Sequence, residues 1–309
     1  MSRDDDRALR PTSFDDFPGQ ESAKRNLRVF VRAALSRGEP LDHVLFTGPP
    51  GTGKTTLAGV VASEMGANVV VVNATTIKTK GELIAILAGL SRNDVLFIDE
   101  IHALSTRVEE VLYTAMEDAR VDVPSGGEAL SIDLEPFTLI GATTVAGSMS
   151  QPLRDRFGEI VQMSLYSDAE LSLIADRSAK KLGMTPVPGG PEEVARRSRG
   201  TPRIANRLLR RARDFAHADG HSFLNVETVV RTCEALGIDA SGLDGTSRKY
   251  LELLSARGPV GLSVAAAVLG ESEETIEAAV EPFLMRSGLI ERTSKGRVAT
   301  ASGVAAVRR

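Results

Sequence analysis

Cysteine is nearly absent from this sequence, with Cys233 the only one in 309 residues. A single thiol excludes an internal disulfide and a metal site made of clustered cysteines. The sequence therefore predicts a protein of a reducing compartment, in which Cys233 is a buried structural thiol.

Long apolar runs are missing as well. No run approaches the roughly 18 residues that cross a bilayer. The charged opening MSRDDDRALR is not followed by the apolar stretch of a signal peptide. We expect a soluble, cytoplasmic protein with no membrane partner.

An excess of positive charge is the third absence. The 37 lysines and arginines are outnumbered by 41 aspartates and glutamates, which gives a formal net charge of -4. A chain of this charge has no overall attraction to a phosphate backbone. Any binding of nucleic acid must therefore come from local basic clusters.

Short apolar runs separated by helix-like stretches fill the chain from Leu41 to about Gly147. The runs are VLFT (44–47), VVVVN (69–73), VLFI (95–98) and FTLIGA (137–142). Runs rich in Val, Ile and Phe without alternation are typical of strands buried on both faces of a parallel sheet, with helices as crossovers. The sequence predicts an α/β domain over residues 1–166.

The strand signals stop after about Asp168, and helical periodicity takes over, most clearly from Pro202 to Ala218. We expect a small all-helical domain over residues 167–241. Residues 242–309 indicate three helices and a hairpin that turns at Thr293 to Gly296, the pattern of a winged-helix module. The final GVAAVRR is expected to fray.

A P-loop is the strongest motif. Residues 48–55 read GPPGTGKT, directly after one of the apolar runs and at the start of a predicted helix. In this motif backbone N–H groups face the phosphates of ATP or ADP, Lys54 reaches the outer phosphates, and the Thr55 hydroxyl binds Mg²⁺.

Two adjacent carboxylates, Asp99 and Glu100, follow the run that ends at Ile98. The carboxyl end of a strand in an open α/β sheet points at the ligand crevice. We expect Asp99 to support Mg²⁺ and Glu100 to orient and activate the attacking water.

Hydrolysis also needs a group that senses the γ-phosphate and a positive charge that stabilises the transition state. The residues suited to these roles by their position are Thr143, Thr144, Arg154, Arg156 and Arg203. The sequence pattern alone does not choose among them.

Taken together, the motifs resemble those of the RuvB family, the AAA+ motors that drive branch migration of Holliday junctions. The likeness runs from about Arg10 to Thr300. Its most specific blocks are LDHVLFTGPPGTGKTTLA, DVLFIDEIH, FTLIGATT, PLRDRFG, RRSRGTPRIANRLLRR and RTSKGRVAT. The resemblance implies an AAA+ P-loop sheet domain, a helical lid and a winged helix. It also implies a hydrolase that translocates duplex DNA in recombination and repair.

The resemblance also assigns roles to individual residues. Leu9 and Arg10 would line the adenine pocket. Thr144 would be the first sensor, and Arg156 would reach a neighbouring subunit's nucleotide, with Arg154 as second choice. The remaining nucleotide contacts would come from Gly48, Gly51, Gly53, Lys54, Thr55, Thr56, Tyr166 and Arg203. An arginine that acts on a neighbour requires a ring, which is a homohexamer in this family.

The predicted recognition helix, residues 273–287, carries four glutamates and is poorly suited to a DNA groove. Basic residues cluster on the hairpin instead, at Arg292, Lys295 and Arg297. We expect them to make phosphate contacts that position DNA without reading its sequence. The resemblance supports this role for Arg292 and Arg297.

The segment DVPSGGEALSID, from Asp122 to Asp133, departs from the family pattern. It is shorter and less apolar than the hairpin with which the family docks RuvA. A short Gly-Ser-rich turn offers little apolar surface to a partner. The departure predicts an ATPase that couples to another adaptor or to none.

Two other functions stay open. An ATP-switched assembly module of the clamp-loader type would share the ATPase core without translocating DNA. An ATP-responsive transcription regulator would read base sequence. The basic wing disfavours the first, and the acidic recognition helix disfavours the second.

Overall fold

The computed structural model describes residues 9–125 and 128–308. The described residues form two compact units. One comprises residues 10–48, 53–125 and 128–164, and the other comprises residue 9 with residues 49–52 and 165–308. No helix in these parts of the chain is long and apolar enough to cross a bilayer.

The first unit is built on a parallel sheet. Its helices are Glu21–Arg37 (α1), Lys54–Met65 (α2), Lys80–Ala88 (α3), Thr106–Asp118 (α4) and Gln151–Arg154 (α5). Its strands are Val44–Thr47 (β1), Val69–Asn73 (β2), Val95–Asp99 (β3), Arg120–Ser125 (β4), Glu128–Asp133 (β5), Thr138–Thr143 (β6) and Glu159–Gln162 (β7). The sheet order is β2-β3-β6-β1-β7, which confirms the predicted α/β class.

The order places β1, β3 and β6 in the middle of the sheet, where their apolar runs are buried. Thr47 pairs with Thr143, and Ile98 with Gly141, so the three strands end at one edge of the sheet. The loops that follow them are thereby brought together, as expected for a site at the carboxyl ends of parallel strands.

Two predictions about this sheet need correction. Burial on both faces is wrong for β2, because this strand lies at the sheet edge, with Val69 and Val71 40% and 55% exposed. Strand β7 was not predicted. Its sequence, EIVQ, has only two apolar residues, too few to give a strand signal.

The segment from Asp122 to Asp133, expected to be a short hairpin, lies in a regular hairpin. Strands β4 and β5 pair antiparallel from Arg120 with Asp133 to Ser125 with Glu128. Residues 126 and 127, within the expected Gly-Ser-rich turn, lie outside the described residues. Val121 and Ile132 pack against the core of this unit, whereas Leu130 is 57% exposed. The hairpin therefore does present an apolar side chain to solvent.

The second unit contains the lid and the winged helix. Its helices are Asp168–Lys181 (α6), Gly190–Arg197 (α7), Pro202–Ala218 (α8), Val226–Ala235 (α9), Gly245–Arg257 (α10), Leu262–Leu269 (α11), Glu273–Thr275 (α12), Glu281–Arg286 (α13) and Ala301–Val307 (α14). Its strands are Thr185–Pro186 (β8), Phe223–Leu224 (β9), Ile290–Thr293 (β10) and Gly296–Ala299 (β11).

The lid is not entirely helical. Strands β8 and β9 form a parallel pair of two residues each, which is too short to leave a periodic signal in the sequence. Cys233 is fully buried in this domain, as expected, and burial raises the pKa of its thiol.

The winged helix differs from the prediction at two places. The expected recognition helix is interrupted by a π-helical turn at Ile276–Val280. Pro282 lacks an N–H for the regular helical ladder, which accounts for the irregularity just before it. The C-terminal segment does not fray through residue 307. It forms α14, where a Cβ on Gly303 would lie 2.0 Å from the Leu289 carbonyl oxygen.

A buried carboxylate joins the last helix of the motif to the hairpin. Glu281 is fully buried and accepts hydrogen bonds from the Tyr250 hydroxyl at 2.7 Å and from Nε of Arg292 and Arg297 at 2.9 and 2.8 Å. Burial alone would raise the pKa of Glu281, but these three donors outweigh it and hold the pKa below its ordinary value.

Replacing Glu281 with Gln should lower the free energy of unfolding by roughly 2 kcal/mol at pH 7. Removing one partner of a buried ion pair costs about 3 to 5 kcal/mol, and Arg292 can regain part of this from water. A carboxyl whose pKa is lowered by folding stabilises above its unfolded pKa and loses this effect as pH falls through the folded value. The difference between variant and wild type should therefore shrink in acid.

Urea unfolding of the two chains at several pH values measures this difference. The matched control is Glu277→Gln, whose partly exposed carboxylate also pairs with Arg297. It should change stability by less than about 1 kcal/mol. Equal losses in both variants would contradict a special role for the buried carboxylate.

Candidate nucleotide site and wing

The P-loop begins with a glycine that no other residue could replace without displacing the backbone. Gly48 has φ +135°, and a Cβ there would lie 2.1 Å from the carbonyl oxygen of Met163. Gly51 and Gly53 also have positive φ, at +79° and +100°. The loop therefore keeps side chains out of the space that phosphates would use.

Helix α2 begins at Lys54, and its N-cap is Gly53, which has no side chain to cap the first N–H groups. Such an uncapped helix start is a binding site for anions. Lys54 is buried, and its Nζ donates to the Gly48 carbonyl at 2.7 Å, so the loop wraps around the ammonium group. Thr55 and Thr56 follow in the first turn and are half-buried.

Asp99 ends β3 and Glu100 follows it, as predicted. Glu100 has φ +49° and ψ +47°, a left-handed conformation that is uncommon and strained for a residue other than glycine. Its N–H donates to Asp99 Oδ1 at 3.2 Å. One oxygen of the Asp99 carboxylate is therefore engaged by the backbone of the turn that carries Glu100.

Thr144, which follows β6, holds the Glu100 side chain. Its backbone N–H and its hydroxyl donate to Glu100 Oε2 at 3.1 and 3.0 Å. Thr143, by contrast, is fully buried and its hydroxyl lies 2.9 Å from Nδ1 of His102. The structure thus brings Glu100 and Thr144 together. It also places His102 beside them, a residue to which the sequence motif DEIH assigned no role of its own.

Residues 49–52 belong to the second compact unit, where the lid contacts them. Tyr166 is buried, and its hydroxyl donates to the Thr52 carbonyl at 3.1 Å. The N–H of Arg203 donates to the Gly51 carbonyl at 3.4 Å, and a Cβ on Gly51 would lie 3.1 Å from Cβ of Arg203. Leu9 is also buried in this unit.

The loop just before Arg203 contacts the winged helix as well. Arg199 has φ +51°, and its guanidinium lies 2.8 Å from Asp244 and 3.0 Å from the Ser247 hydroxyl at the start of α10. Arg286 of α13 donates to the Tyr166 carbonyl at 2.8 Å, in the space left by the missing side chain of Gly200. Sequence inspection missed these contacts because arginines at such positions carry no distinguishing pattern.

The two candidate arginine fingers lie at the end of the sheet domain's short helix α5, with Arg154 as its last residue and Arg156 two residues beyond it. Arg156 is held by its own chain, since it donates to the Pro152 carbonyl at 2.7 Å and to Glu117 at 3.1 Å. Its guanidinium also lies 4.5 Å from the centre of the Tyr113 ring. Arg154 is partly exposed, and Arg10 is exposed.

The wing arginines are paired with acidic residues of the neighbouring helix. Arg292 and Arg297 contact the buried Glu281, and both also lie within ion-pair distance of Glu277. Arg292 keeps 44% of its side chain exposed, whereas Arg297 keeps 15%. Lys295 lies exposed at the turn. The basic cluster predicted from sequence is therefore partly neutralised.

No group of three His, Cys, Asp or Glu side chains suited to a metal ion is found in the described portions of the chain. Mg²⁺ is commonly held by one or two carboxylates together with substrate phosphates rather than by a protein cage. Asp99 and Thr55, with their carboxylate and hydroxyl oxygens, are chemically suited to such a site.

Comparison with known proteins identifies the family. Residues 9–163 match the Holliday junction DNA helicase RuvB P-loop domain, residues 166–239 the RuvB AAA lid domain, and residues 240–308 the RuvB C-terminal winged helix domain.

Individual relatives agree with these matches. The Holliday junction branch migration complex subunit RuvB of Campylobacter jejuni is 49% identical over 307 residues, 97% of this chain and 92% of that protein. The subunit from Rubrobacter xylanophilus is 48% identical and covers 97% of this chain and 86% of its own.

A solved structure is also similar. The Holliday junction branch migration motor RuvB of Thermotoga maritima superposes with a TM-score of 0.90 at 44% identity, over 97% of this chain and 98% of that chain. Together with the P-loop and the two carboxylates, these similarities show that the chain belongs to the RuvB family of Holliday junction DNA helicases and is an AAA+ ATPase.

Proposed function

We propose that this chain is the ATP-driven motor of a branch migration complex, and that it moves duplex DNA at Holliday junctions through a cycle of ATP hydrolysis in a ring. The observation that carries the proposal is the fixing of Glu100 by Thr144 at the sheet edge that also carries the P-loop lysine. This arrangement suits hydrolysis rather than binding alone.

The chemistry is assigned to residues of that edge. Lys54 and the N–H groups at the start of α2 would hold the outer phosphates. Glu100 would accept a proton from water as the water oxygen attacks the γ-phosphorus, while the bond from this phosphorus to the bridging oxygen breaks and ADP leaves. Mg²⁺, held by Thr55 and Asp99, would neutralise charge on the phosphates. Residues 49–52 with Tyr166 and Arg203, and Leu9 with Arg10, would complete the nucleotide contacts.

The contacts of the lid support transmission of the nucleotide state to DNA. The loop that includes Arg199 and Gly200 bonds to the winged helix, and the same loop leads to Arg203 beside Gly51. A shift of this loop on hydrolysis would be passed directly to the DNA-binding module. A clamp-loader module would not require this connection.

A ring is proposed because Arg156, or Arg154 in its place, would act on a neighbour's nucleotide. The Tyr113 ring and Glu117 hold Arg156 beside α4 in the isolated chain. We propose a homohexamer, in which this arginine would have to leave or extend from these partners to reach the neighbouring nucleotide.

An adaptor of the RuvA type remains part of the proposal. The relatives are named as subunits of a complex. Hairpin β4–β5 presents the exposed Leu130, which supplies an apolar anchor that the short sequence did not suggest. A complex with RuvA would dock at this hairpin.

Two substitutions test the hydrolytic site. Lys54→Ala should abolish nucleotide binding or hydrolysis, because the outer phosphates lose their cation. Glu100→Gln should bind ATP normally but lose hydrolysis, because an amide cannot accept the proton. Binding is measured with a fluorescent nucleotide and hydrolysis by phosphate release. Wild-type turnover in either variant would refute the assignment.

Replacing Arg292 and Arg297 together with Ala should weaken binding to duplex DNA and lower the slope of log K against log salt by up to roughly 2. Basal ATPase should remain. Glu277→Gln should do the opposite and tighten binding, because this carboxylate competes with phosphate for both arginines. Titrations of each variant with duplex DNA at several salt concentrations measure both the affinity and its salt dependence. Unchanged affinity in all variants would place the DNA contacts elsewhere.

Branch migration of a synthetic four-way junction tests the function as a whole. With ATP and Mg²⁺ the wild-type chain should separate the junction into duplexes, and the Glu100→Gln variant should not. Parallel reactions with and without RuvA, and with Leu130→Asp, report whether the hairpin docks the adaptor. If the wild-type chain hydrolyses ATP in response to DNA but migrates the junction neither with nor without RuvA, the ATP-switched assembly module would be favoured instead.

A further inference from the structure

One oxygen of the Glu100 carboxylate has three polar neighbours. Oε2 accepts hydrogen bonds from the Thr144 N–H and hydroxyl, and Nδ1 of His102 lies 3.3 Å away. All three contacts fall on Oε2, so Oε1 is the oxygen left to receive a proton from water. The direction of the carboxylate thus depends on both Thr144 and His102.

His102 is itself anchored. It lies in the short 3₁₀ turn Ile101–Ala103 after β3, and its Nδ1 is 2.9 Å from the hydroxyl of Thr143. That hydroxyl also accepts a hydrogen bond from the Val145 N–H at 3.0 Å, and Thr143 is fully buried in the central strand β6. The imidazole is therefore fixed by the sheet and has only 15% of its side chain exposed.

The proton on the ring can be assigned from its neighbours. An unprotonated Nδ1 would direct a lone pair at a region occupied by the carboxylate oxygen of Glu100. A proton on Nδ1 instead donates to the Thr143 hydroxyl and lies beside Oε2, with an attractive charge interaction. We assign the proton to Nδ1 on this ground.

We propose that His102 is a positioning residue for ATP hydrolysis. Its Nδ1–H, fixed by Thr143, keeps Oε2 of Glu100 turned toward His102 and Thr144, so that Oε1 faces the attacking water. This inference rests on the proposed role of Glu100 as the base. His102 does not touch the reacting atoms. It acts by restricting the rotation of a carboxylate, and a misdirected base lowers the rate of turnover without weakening the binding of ATP.

Three substitutions at this position separate positioning from packing. The amide nitrogen of Asn is attached to Cγ, as Nδ1 of His is, so His102→Asn can keep the donor in place. His102→Gln is closer to His in size but carries its amide one bond farther out. His102→Ala has no donor.

The steady-state kcat for ATP, with nucleotide affinity measured separately, is the readout. His102→Ala and His102→Gln should lower kcat by about tenfold to a hundredfold with unchanged affinity, whereas His102→Asn should stay near the wild-type value. A role in packing alone predicts that Gln is tolerated at least as well as Asn, which would overturn the proposal.

Two further variants test the Thr143 anchor and provide a control. Thr143→Val removes the anchor at nearly constant volume, so it should lower kcat, and its effect should not add to that of His102→Ala. His217→Ala, an exposed histidine on α8, is the matched control and should leave kcat unchanged.

The Glu100→Gln variant separates two failures. If it is inactive while His102→Ala turns over at the wild-type rate, the positioning role is wrong and the base assignment stands. If His102→Ala turns over faster than wild type, the contact restrains the base, and the proposal is overturned. Normal turnover by Glu100→Gln would overturn both the base assignment and the inference. Should His102→Ala unfold, the comparison of Asn with Gln still decides.

Discussion

The parallel pairing of β1, β3 and β6 is the constraint on which the rest of the site depends. Each strand ends at the same edge of the sheet, so Glu100, Thr144 and Gly48, far apart in sequence, lie in that order along the edge. The strands hold this register because they are apolar and buried. The strained left-handed backbone of Glu100 is tolerated because its surroundings fix its conformation. The residue follows β3 directly, and Thr144 donates two hydrogen bonds to its side chain.

Positive charge is concentrated locally in this acidic chain, because the chain as a whole has no attraction to a phosphate backbone. In the winged helix the buried Glu281 orders two arginines of the hairpin, with the exposed Glu277 as an additional partner. The cost of burying Glu281 is offset by three donors, which also explains its lowered pKa. The same contacts reduce the positive potential of the wing, so in the proposed DNA complex phosphates would compete with these carboxylates for the two arginines.

Sequence patterns predicted those parts of the molecule that depend on local rules. The strands around Leu45, Phe97 and Ile140, the P-loop and helix α8 have bounds within one or two residues of the prediction, because apolar runs, glycine spacing and helical periodicity are local signals. The placement of Asp99 and Glu100 at the carboxyl end of β3 was predicted for the same reason.

Contacts between residues far apart in the sequence could not be predicted from these local signals. Glu281 accepts from residues 11 and 16 positions away, and Thr144 holds a glutamate 44 positions away, so neither contact has a sequence signature. The two-residue strands of the lid are likewise products of tertiary packing. Roles of Arg154, Arg156 and the lid residues came from family resemblance, since an arginine in a sequence does not reveal its partner.

A structure of the wild-type chain with a non-hydrolysable ATP analogue and Mg²⁺ would test most directly whether the sheet edge fixes the catalytic carboxylate. We expect Thr144 and His102 to keep their contacts with Oε2 of Glu100, and Oε1 to lie within about 3 Å of a water in line with the γ-phosphate. A Glu100 that leaves Thr144 when nucleotide binds, and approaches the water with Oε2, would contradict it.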